Sequence, residues 1–526
     1  MRRGAVSSRE LTQAYIDRIS QIDSRGPQIN SVLELNSDAL GIADALDAER
    51  RHGHVRGPLH GIPVLVKDNI ATADRMQTAA GSYALLGSVV PRDAFVARQL
   101  RRAGAVLLGK TNLSEWANFR GFQSTSGWSG RAGVCLNPYA LNRTACGSST
   151  GSAAAVASNL AASSLGTETD GSITCPSSMT SCVGIKPTLG LTSRSGVIPI
   201  AHSQDAVGPI SRTVEDAAIT LGGIVGIDPR DAATEASKGK LRHDYRRYLD
   251  KGALKGARLG VWRQDLFGFS PETDAVAENA FDALRELGAV MIDPADITNE
   301  FDIFGPEFTV LLYEFKPDLN AYLSGLLRTP VHTLADIIAF NRAHAEAELH
   351  WFGQEIMEIS ESIGPLTDPA YLHALKTSKR LARRAIRQTM AEHDLDAIVT
   401  FTAEAPWTID LVTGDHFVVA GGATTPPAVA GYPHITVPAG YAFGDELPVG
   451  LSFIGRAWEE PKLIGLAFAY EQGTKERHAP RLRPRVDVTD FVPRAQTPRR
   501  SMTAASRPAG DRRLAMPTTT PRRIGL

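Results

Sequence analysis

Two short apolar runs, GIPVLVKDN (61–69) and AVLLGKTN (105–112), each end at a polar turn. Between them AFVARQLRRAGA (94–105) spaces its apolar residues as a helix does. Strand, helix and strand in succession predict an α/β architecture built on a buried sheet. Further apolar runs extend the pattern: ARLGVW (257–262), LDAIVTF (395–401), HITVP (434–438) and VGLSFIG (449–455). Helical periodicity alternates with them at 272–287, 333–350, 369–392 and 460–475. Near the start, Ser7-Ser8-Arg9-Glu10 is a capping box, and Leu11, Tyr15, Ile19 and Ile22 fall on one face of the helix it opens. No repeat of fixed period is present. The stretch from about 240 to 395 is mostly helical and interrupts the strands. It reads equally as a cap over a site or as a second helical layer.

Charge and composition narrow the function. The formal net charge of -1 hides an asymmetry, because eight arginines and one aspartate follow Phe491 and the body before them is acidic. An acidic body is not a nucleic-acid surface. The Pro-, Arg-, Thr- and Ala-rich segment 491–526 cannot bury enough apolar surface to offset ordering, so a disordered basic tail is expected there. No run is long and apolar enough to cross a membrane. The start, MRRGAVSSRE, carries two arginines but no apolar core, so no signal peptide is visible and a cytoplasmic location is expected; a start placed too late would hide one. Four cysteines, Cys135, Cys146, Cys175 and Cys182, lack zinc-finger spacing and are too few for a disulfide scaffold. Reduced, buried thiols are expected.

The chemistry concentrates in CGSSTGSAAAVASNLAASSLGTETDGSITCP (146–176), which is rich in hydroxyls and glycines and has no histidine. Gly147-Ser148-Ser149-Thr150-Gly151 matches the nucleophile elbow G-x-S-x-G, which needs a strand before its serine and a helix after it. The helix is predicted at GSAAAVASNLAASSL, but YALNRTAC before the serine is polar and turn-like. A phosphate cradle lacks its Gly-Lys-Ser/Thr. A glycine- and serine-rich loop that merely caps a helix of small residues is the plainer reading. The second half, GTETDGSITCP, follows that helix and can aim consecutive backbone N–H groups into a cavity, as an oxyanion hole requires. A serine there still needs a base. Serine–lysine pairs are a known solution, and Lys67 closes the apolar strand IPVLVK. Burial would lower its pKa, and a base near neutrality needs a fall of about 2–3 units from about 10.4.

At this point the sequence resembles the amidase signature family. The matching segments are GPLHGIPVLVKDNI (57–70), LLGKTNLSEWANFRG (107–121), the 146–176 block, GIKPTLGLTSRSGVIP (184–199) and SQDAVGPISRTVEDAA (203–218), with VAGYPHITVPAG and LPVGLSFIG further on. The likeness covers about residues 7–480. It implies the family's fold: one domain over 1–490, a large mixed sheet flanked by helices on both faces, with the helical middle contributing to the substrate pocket. It also implies a Ser–cis-Ser–Lys triad without histidine: Ser172 as nucleophile, Ser148 as the bridging serine on a cis peptide, Lys67 as base. The N–H groups of Thr169, Asp170, Gly171 and Ser172 would form the oxyanion hole, with Ser149 and Thr167 as supporting hydrogen-bonding groups. Two departures stand out. The common GGSSGGS is CGSSTGS here, and the common GTDTGGSIR is GTETDGSIT, which puts Asp170 where the family carries glycine. Its carboxylate must turn away from the oxyanion. The block GTETDGSI-x-CP, with LLYEFKPDLNAYL (311–323) and LADIIAFNRAHAEAEL (334–349), looks most like the bacterial peptide amidase branch.

The expected activity is therefore hydrolysis of linear carboxylic amides, C-terminal peptide amides above all. No cofactor and no metal are expected, and the expected partner is a small-molecule or peptide amide, with no nucleic acid and no membrane. The alternatives are the amidase subunit of a tRNA-dependent amidotransferase, a general amidase, esterase or carbamate hydrolase, and a scaffold that kept the fold without the chemistry. Retention of Lys67, Ser148 and Ser172 argues against the last.

Overall fold

The computed structural model describes residues 1, 4–298, 300–418 and 422–488. Every apolar run singled out above forms a strand. The central sheet has eleven, labelled here β1 (Val32–Leu35), β2 (Pro63–Lys67), β3 (Val106–Thr111), β4 (Ser163–Glu168), β5 (Val183–Lys186), β6 (Ala206–Ser211), β7 (Arg258–Val261), β8 (Val290–Ile292), β9 (Ala397–Phe401), β10 (His434–Tyr441) and β11 (Leu447–Ile454). Their order across the sheet is β1-β3-β2-β4-β6-β5-β10-β11-β9-β7-β8. Pairs β2·β3, β2·β4, β7·β9 and β7·β8 are parallel; the remaining neighbours are antiparallel. The sheet is mixed, as the family likeness implied.

Consecutive strand residues point to opposite faces. All residues of β2, β3, β4, β6, β9 and β11 are buried, so both faces of the sheet are covered. That is why these strands read as continuous rather than alternating apolar runs. The helices that matter for the site are α1 (Ser8–Arg18), α2 (Phe95–Arg102), α3 (Thr150–Ala157), α4 (Thr174–Met179), α5 (Glu300–Ser324), α6 (Pro369–Glu392) and α7 (Thr425–Ala430). The capping box at Ser7 and Glu10 is formed, and Leu11, Tyr15, Ile19 and Ile22 pack into one cluster. Residues Met1–Asp487 make one compact unit. The basic segment expected to be disordered lies outside the described residues.

One element differs in kind from expectation. The helix after Ser149 stops at Ala157, and the chain turns through Asn159 at φ 58° to enter β4. SSLGTE carries little β-branched signal, yet it is a central strand. Its serines are satisfied: Ser164 Oγ donates to Ser152 O at 2.9 Å, and the Ser163 and Ser211 hydroxyls meet at 2.8 Å. The middle segment resolves its two readings into both. α5 packs against α6 and α7 as a layer, and it also turns Phe304 and Leu311 into the cavity described next. The same segment contributes β7 and β8 to the sheet's edge, of which only β7 was foreseen.

Candidate active site

Lys67 is the last residue of β2 and is fully buried. Its Nζ lies 2.7 Å from Ser148 Oγ, 2.9 Å from Thr167 Oγ1 and 3.3 Å from Thr167 O. Asn69 Nδ2 donates to the same Thr167 Oγ1 at 3.0 Å, which fixes that hydroxyl. Burial disfavours the ammonium form and brings the Lys67 pKa down to about 7; Asp205 and Glu168 oppose the fall.

Ser172 sits on a turn between β4 and α4. Gly171 adopts φ 72°, and a Cβ there would come within 2.9 Å of Thr424 Oγ1, so the turn requires glycine on both counts. Among the described residues, the N–H groups of Asp170, Gly171 and Ser172 donate no hydrogen bond to a protein acceptor. Ser172 itself lines a cavity of about 390 Å³ together with Ser148, Thr169, Asp170 and Gly171. Phe119, Ile200 and Leu311 give this cavity apolar walls, and Phe304 and Phe417 stand exposed at its rim.

The Gly147–Ser148 peptide bond is cis. A Cβ at Gly147 would lie 2.2 Å from Ser114 Oγ, so only glycine fits before Ser148. Cys146 stands at φ 57°, in the left-handed region that favours glycine, which accounts for the glycine common at this position in the family. Ser149 is turned away: its Oγ donates to Thr167 O at 3.0 Å and accepts from Thr167 N at 3.2 Å, and it does not border the cavity. The elbow geometry of strand, sharp turn and helix is present, but at Ser172 rather than at Ser149. Lys67 thus reaches Ser148, Ser148 and Ser172 border one cavity with Thr169, Asp170 and Gly171, and Thr167 joins Lys67 to Ser149.

The expectation of four reduced thiols fails at two positions. Cys146 and Cys175 form a disulfide, while Cys135 and Cys182 are free and buried. A spacing of 29 gives no hint of pairing. The two cysteines meet because the loop before Ser148 and the helix after Ser172 converge on one cavity. Thr425 Oγ1 donates to Asp170 Oδ2 at 2.6 Å, which directs that carboxylate toward α7.

Three supporting residues escaped sequence reasoning. Asp205 accepts from Thr169 Oγ1 at 2.6 Å and from the N–H groups of Ile200 and Ala201, and burial raises its pKa to about 6. Glu168 Oε2 accepts from the N–H groups of Ile173 and Thr174 at 2.7 and 2.9 Å. Asn69 orients Thr167. The SQDAVGP and KDN motifs contained two of them, but a carboxylate or amide in a motif carries no sign of which backbone group it will hold. The sequence likewise hid a His202, Glu314 and Asp318 cluster. Its members are already engaged: His202 Nδ1 lies 2.9 Å from Asp318 Oδ2, and Tyr371 donates to Glu314 at 2.8 Å.

Comparison with known proteins shows the family and the fold. The amidase family model matches residues 10–464. The chain is 43% identical over 484 residues to an Arabidopsis thaliana protein named Probable amidase, covering 90% of this chain and 88% of that one. It is 36% identical to a glutamyl-tRNA(Gln) amidotransferase subunit of Moorella thermoacetica, covering 92% and 96%. Among solved structures, native peptide amidase from Stenotrophomonas maltophilia superposes with a TM-score of 0.87 at 48% identity, covering 91% of this chain and 96% of that one. The large mixed sheet with its flanking helices is the fold of those peptide amidase structures. The chain belongs to the amidase signature family and is a hydrolase of amides.

Proposed function

We propose that this enzyme releases ammonia from C-terminally amidated peptides and related acyl amides, with Ser172 as nucleophile, Ser148 as proton bridge and Lys67 as base. The observation that carries the mechanism is the 2.7 Å contact between Lys67 Nζ and Ser148 Oγ, made by a buried lysine whose pKa is near 7. A lysine so placed is neutral in a large fraction of molecules at neutral pH and can accept a proton. Neutral Lys67 takes the Ser148 proton while Ser148 takes that of Ser172, and the freed Ser172 Oγ attacks the amide carbon. The tetrahedral oxyanion is steadied by the backbone N–H groups of Thr169, Asp170, Gly171 and Ser172. The proton returns through Ser148 to the departing nitrogen. Water then attacks the acyl-enzyme through the same relay run again.

The substrate class draws on two supports: near-half identity to peptide amidases along the chain, and an apolar cavity with an aromatic rim. Phe119, Ile200 and Leu311 suit an apolar acyl side chain, and Phe304 and Phe417 suit the peptide that leads to it. The test is one peptide offered in amide and free-acid forms, read by ammonia release and mass spectrometry. Ammonia from the amide with the free acid left intact is the expected result. Cleavage inside the free acid, or consumption of a short simple amide while the peptide amide survives, rejects the peptide class. A second reading, as part of an amidotransferase complex, draws on the likeness to the Moorella protein; ammonia release by the isolated chain without other subunits speaks against it.

A further inference from the structure

We propose that the carboxylate of Asp170 is a charge filter on the cavity wall. It selects against ligands that carry a carboxylate at the reacting carbon, and it speeds departure of the acid that hydrolysis leaves behind. The proposal rests on the reading of Ser172 as the nucleophile of an amide hydrolase.

Asp170 is half-buried and borders the same cavity as Ser172. A backbone N–H donor at this position needs no side chain, and the family commonly carries glycine there, so the carboxylate is an addition. Three groups hold it. Thr425 Oγ1 donates to Oδ2 at 2.6 Å, and Thr424 and the Glu307 carboxyl lie against the same group. Glu307 belongs to α5 and is buried. Gln204 Nε2 donates to Glu307 Oε1 and, at 2.9 Å, to Thr169 O, so one amide ties Glu307 to the turn that carries Ser172.

Two carboxyls in contact do not both ionise. Burial raises the pKa of Asp170; the Thr425 and Thr424 hydroxyls, the Glu307 carboxyl and the field of Lys186 oppose that rise and favour its anion. Burial and the facing Asp170 push Glu307 upward, so Glu307 keeps the proton and donates it. The pair therefore holds one negative charge, placed on Asp170 at the cavity.

Hydrolysis changes the charge of what lies beside it. R–CO–NH₂ and water become R–COO⁻ and NH₄⁺: the C–N bond breaks, a C–O bond forms, and a neutral ligand becomes an anion at Ser172. Asp170 is indifferent to the neutral amide and repels an anion at Ser172, the product acid included. The field of one unit charge across a partly dry cavity corresponds to about tenfold in affinity.

The experiment reads binding without turnover. N-acetyl-L-phenylalanine and its neutral alcohol, N-acetyl-L-phenylalaninol, are titrated calorimetrically into Ser172→Ala protein, with Asp170 intact or replaced. Asp170→Asn should tighten binding of the acid about tenfold and change that of the alcohol less than about twofold. Asp170→Gly, the residue common in the family, should do the same without demands on the hydrogen-bond network. Glu307→Gln keeps a donor against Asp170 and should leave the preference for alcohol over acid in place. An acid that gains less than about twofold in both Asp170 variants, or an alcohol that gains as much as the acid, overturns the proposal. Because binding is read directly, failure to release ammonia from peptide amides would reject the proposed substrate while leaving this result to stand or fall alone.

Discussion

Glu168 Oε2 accepts the N–H of Ile173 at 2.7 Å, across the turn that carries Ser172. The same oxygen takes the N–H and the hydroxyl of Thr174. One carboxylate at the end of β4 therefore satisfies the opening N–H groups of α4, which have no partner within so short a helix. Lys186, beside it, opposes the effect of burial and favours the charged form. The position of Ser172 and of the N–H groups before it follows from this clamp.

Glu168→Gln should weaken the clamp, because an amide oxygen is a poorer acceptor than a carboxylate and its NH₂ confronts further donors. A fall in kcat of about 10- to 100-fold with a smaller change in KM is expected, since the loss falls on the geometry of the oxyanion site. Steady-state kinetics with melting curves check this. A variant with native kcat would show that the turn holds its shape unaided.

Ser172→Ala should abolish activity and leave the melting temperature close to native, because alanine fits the same turn. Ser149→Ala should retain activity, reduced by the loss of the hydroxyl that bridges Thr167 O and Thr167 N. Ammonia release by the two purified variants decides between them. An inactive Ser149→Ala beside an active Ser172→Ala would move the nucleophile to the G-x-S-x-G serine.

The sequence made some of this legible and hid the rest for physical reasons. Lys67 could be found because an apolar strand ending in lysine predicts burial, and burial is what brings its pKa to about 7. The strands rich in Val, Ile and Leu announced themselves. β4 did not, because a strand of serine, glycine and threonine stabilised by hydroxyl contacts has no hydrophobic signature. The roles proposed for Lys67, Ser148 and Ser172 came from resemblance to a family, and the carboxylates that hold the turn came from neither source. Asp205 and Thr169 are 36 residues apart, and only the pairing of β4 with β6 brings them to 2.6 Å.

The Cys146–Cys175 disulfide ties the loop before Ser148 to the helix after Ser172. Replacing both cysteines by serine should cost about 2–4 kcal/mol of stability through the freed loop. Catalysis should also suffer, because Ser148 and Ser172, the proposed bridge and nucleophile, both lie within the loop that the link closes. Non-reducing peptide mapping followed by melting with and without reductant tests the pair. Two free thiols in protein purified under oxidising conditions, or identical melting in both states, would count against it.

Lys67 serves activity at a cost in stability, and both rise with pH. Its pKa of about 7 in the folded chain lies below its ordinary 10.5, so between those values the unfolded chain binds the extra proton. Stability therefore rises with pH across that window, and at or below neutrality burial of Lys67 costs about 1.4 kcal/mol for every tenfold loss of proton affinity. Activity follows the neutral lysine, so kcat/KM should fall about tenfold for each pH unit below 7. Lys67→Met fills the same space without the charge. It should melt at a higher temperature than the native chain while losing amide hydrolysis by several orders of magnitude. Lys67→Ala on matched substrates separates the proton roles. An amine must be protonated as it leaves and an alkoxide less so, so amide turnover should fall further than ester turnover. Equal losses on amide and ester, or a flat profile between pH 6 and 8, would remove Lys67 from the relay and leave its contact with Ser148 a structural one.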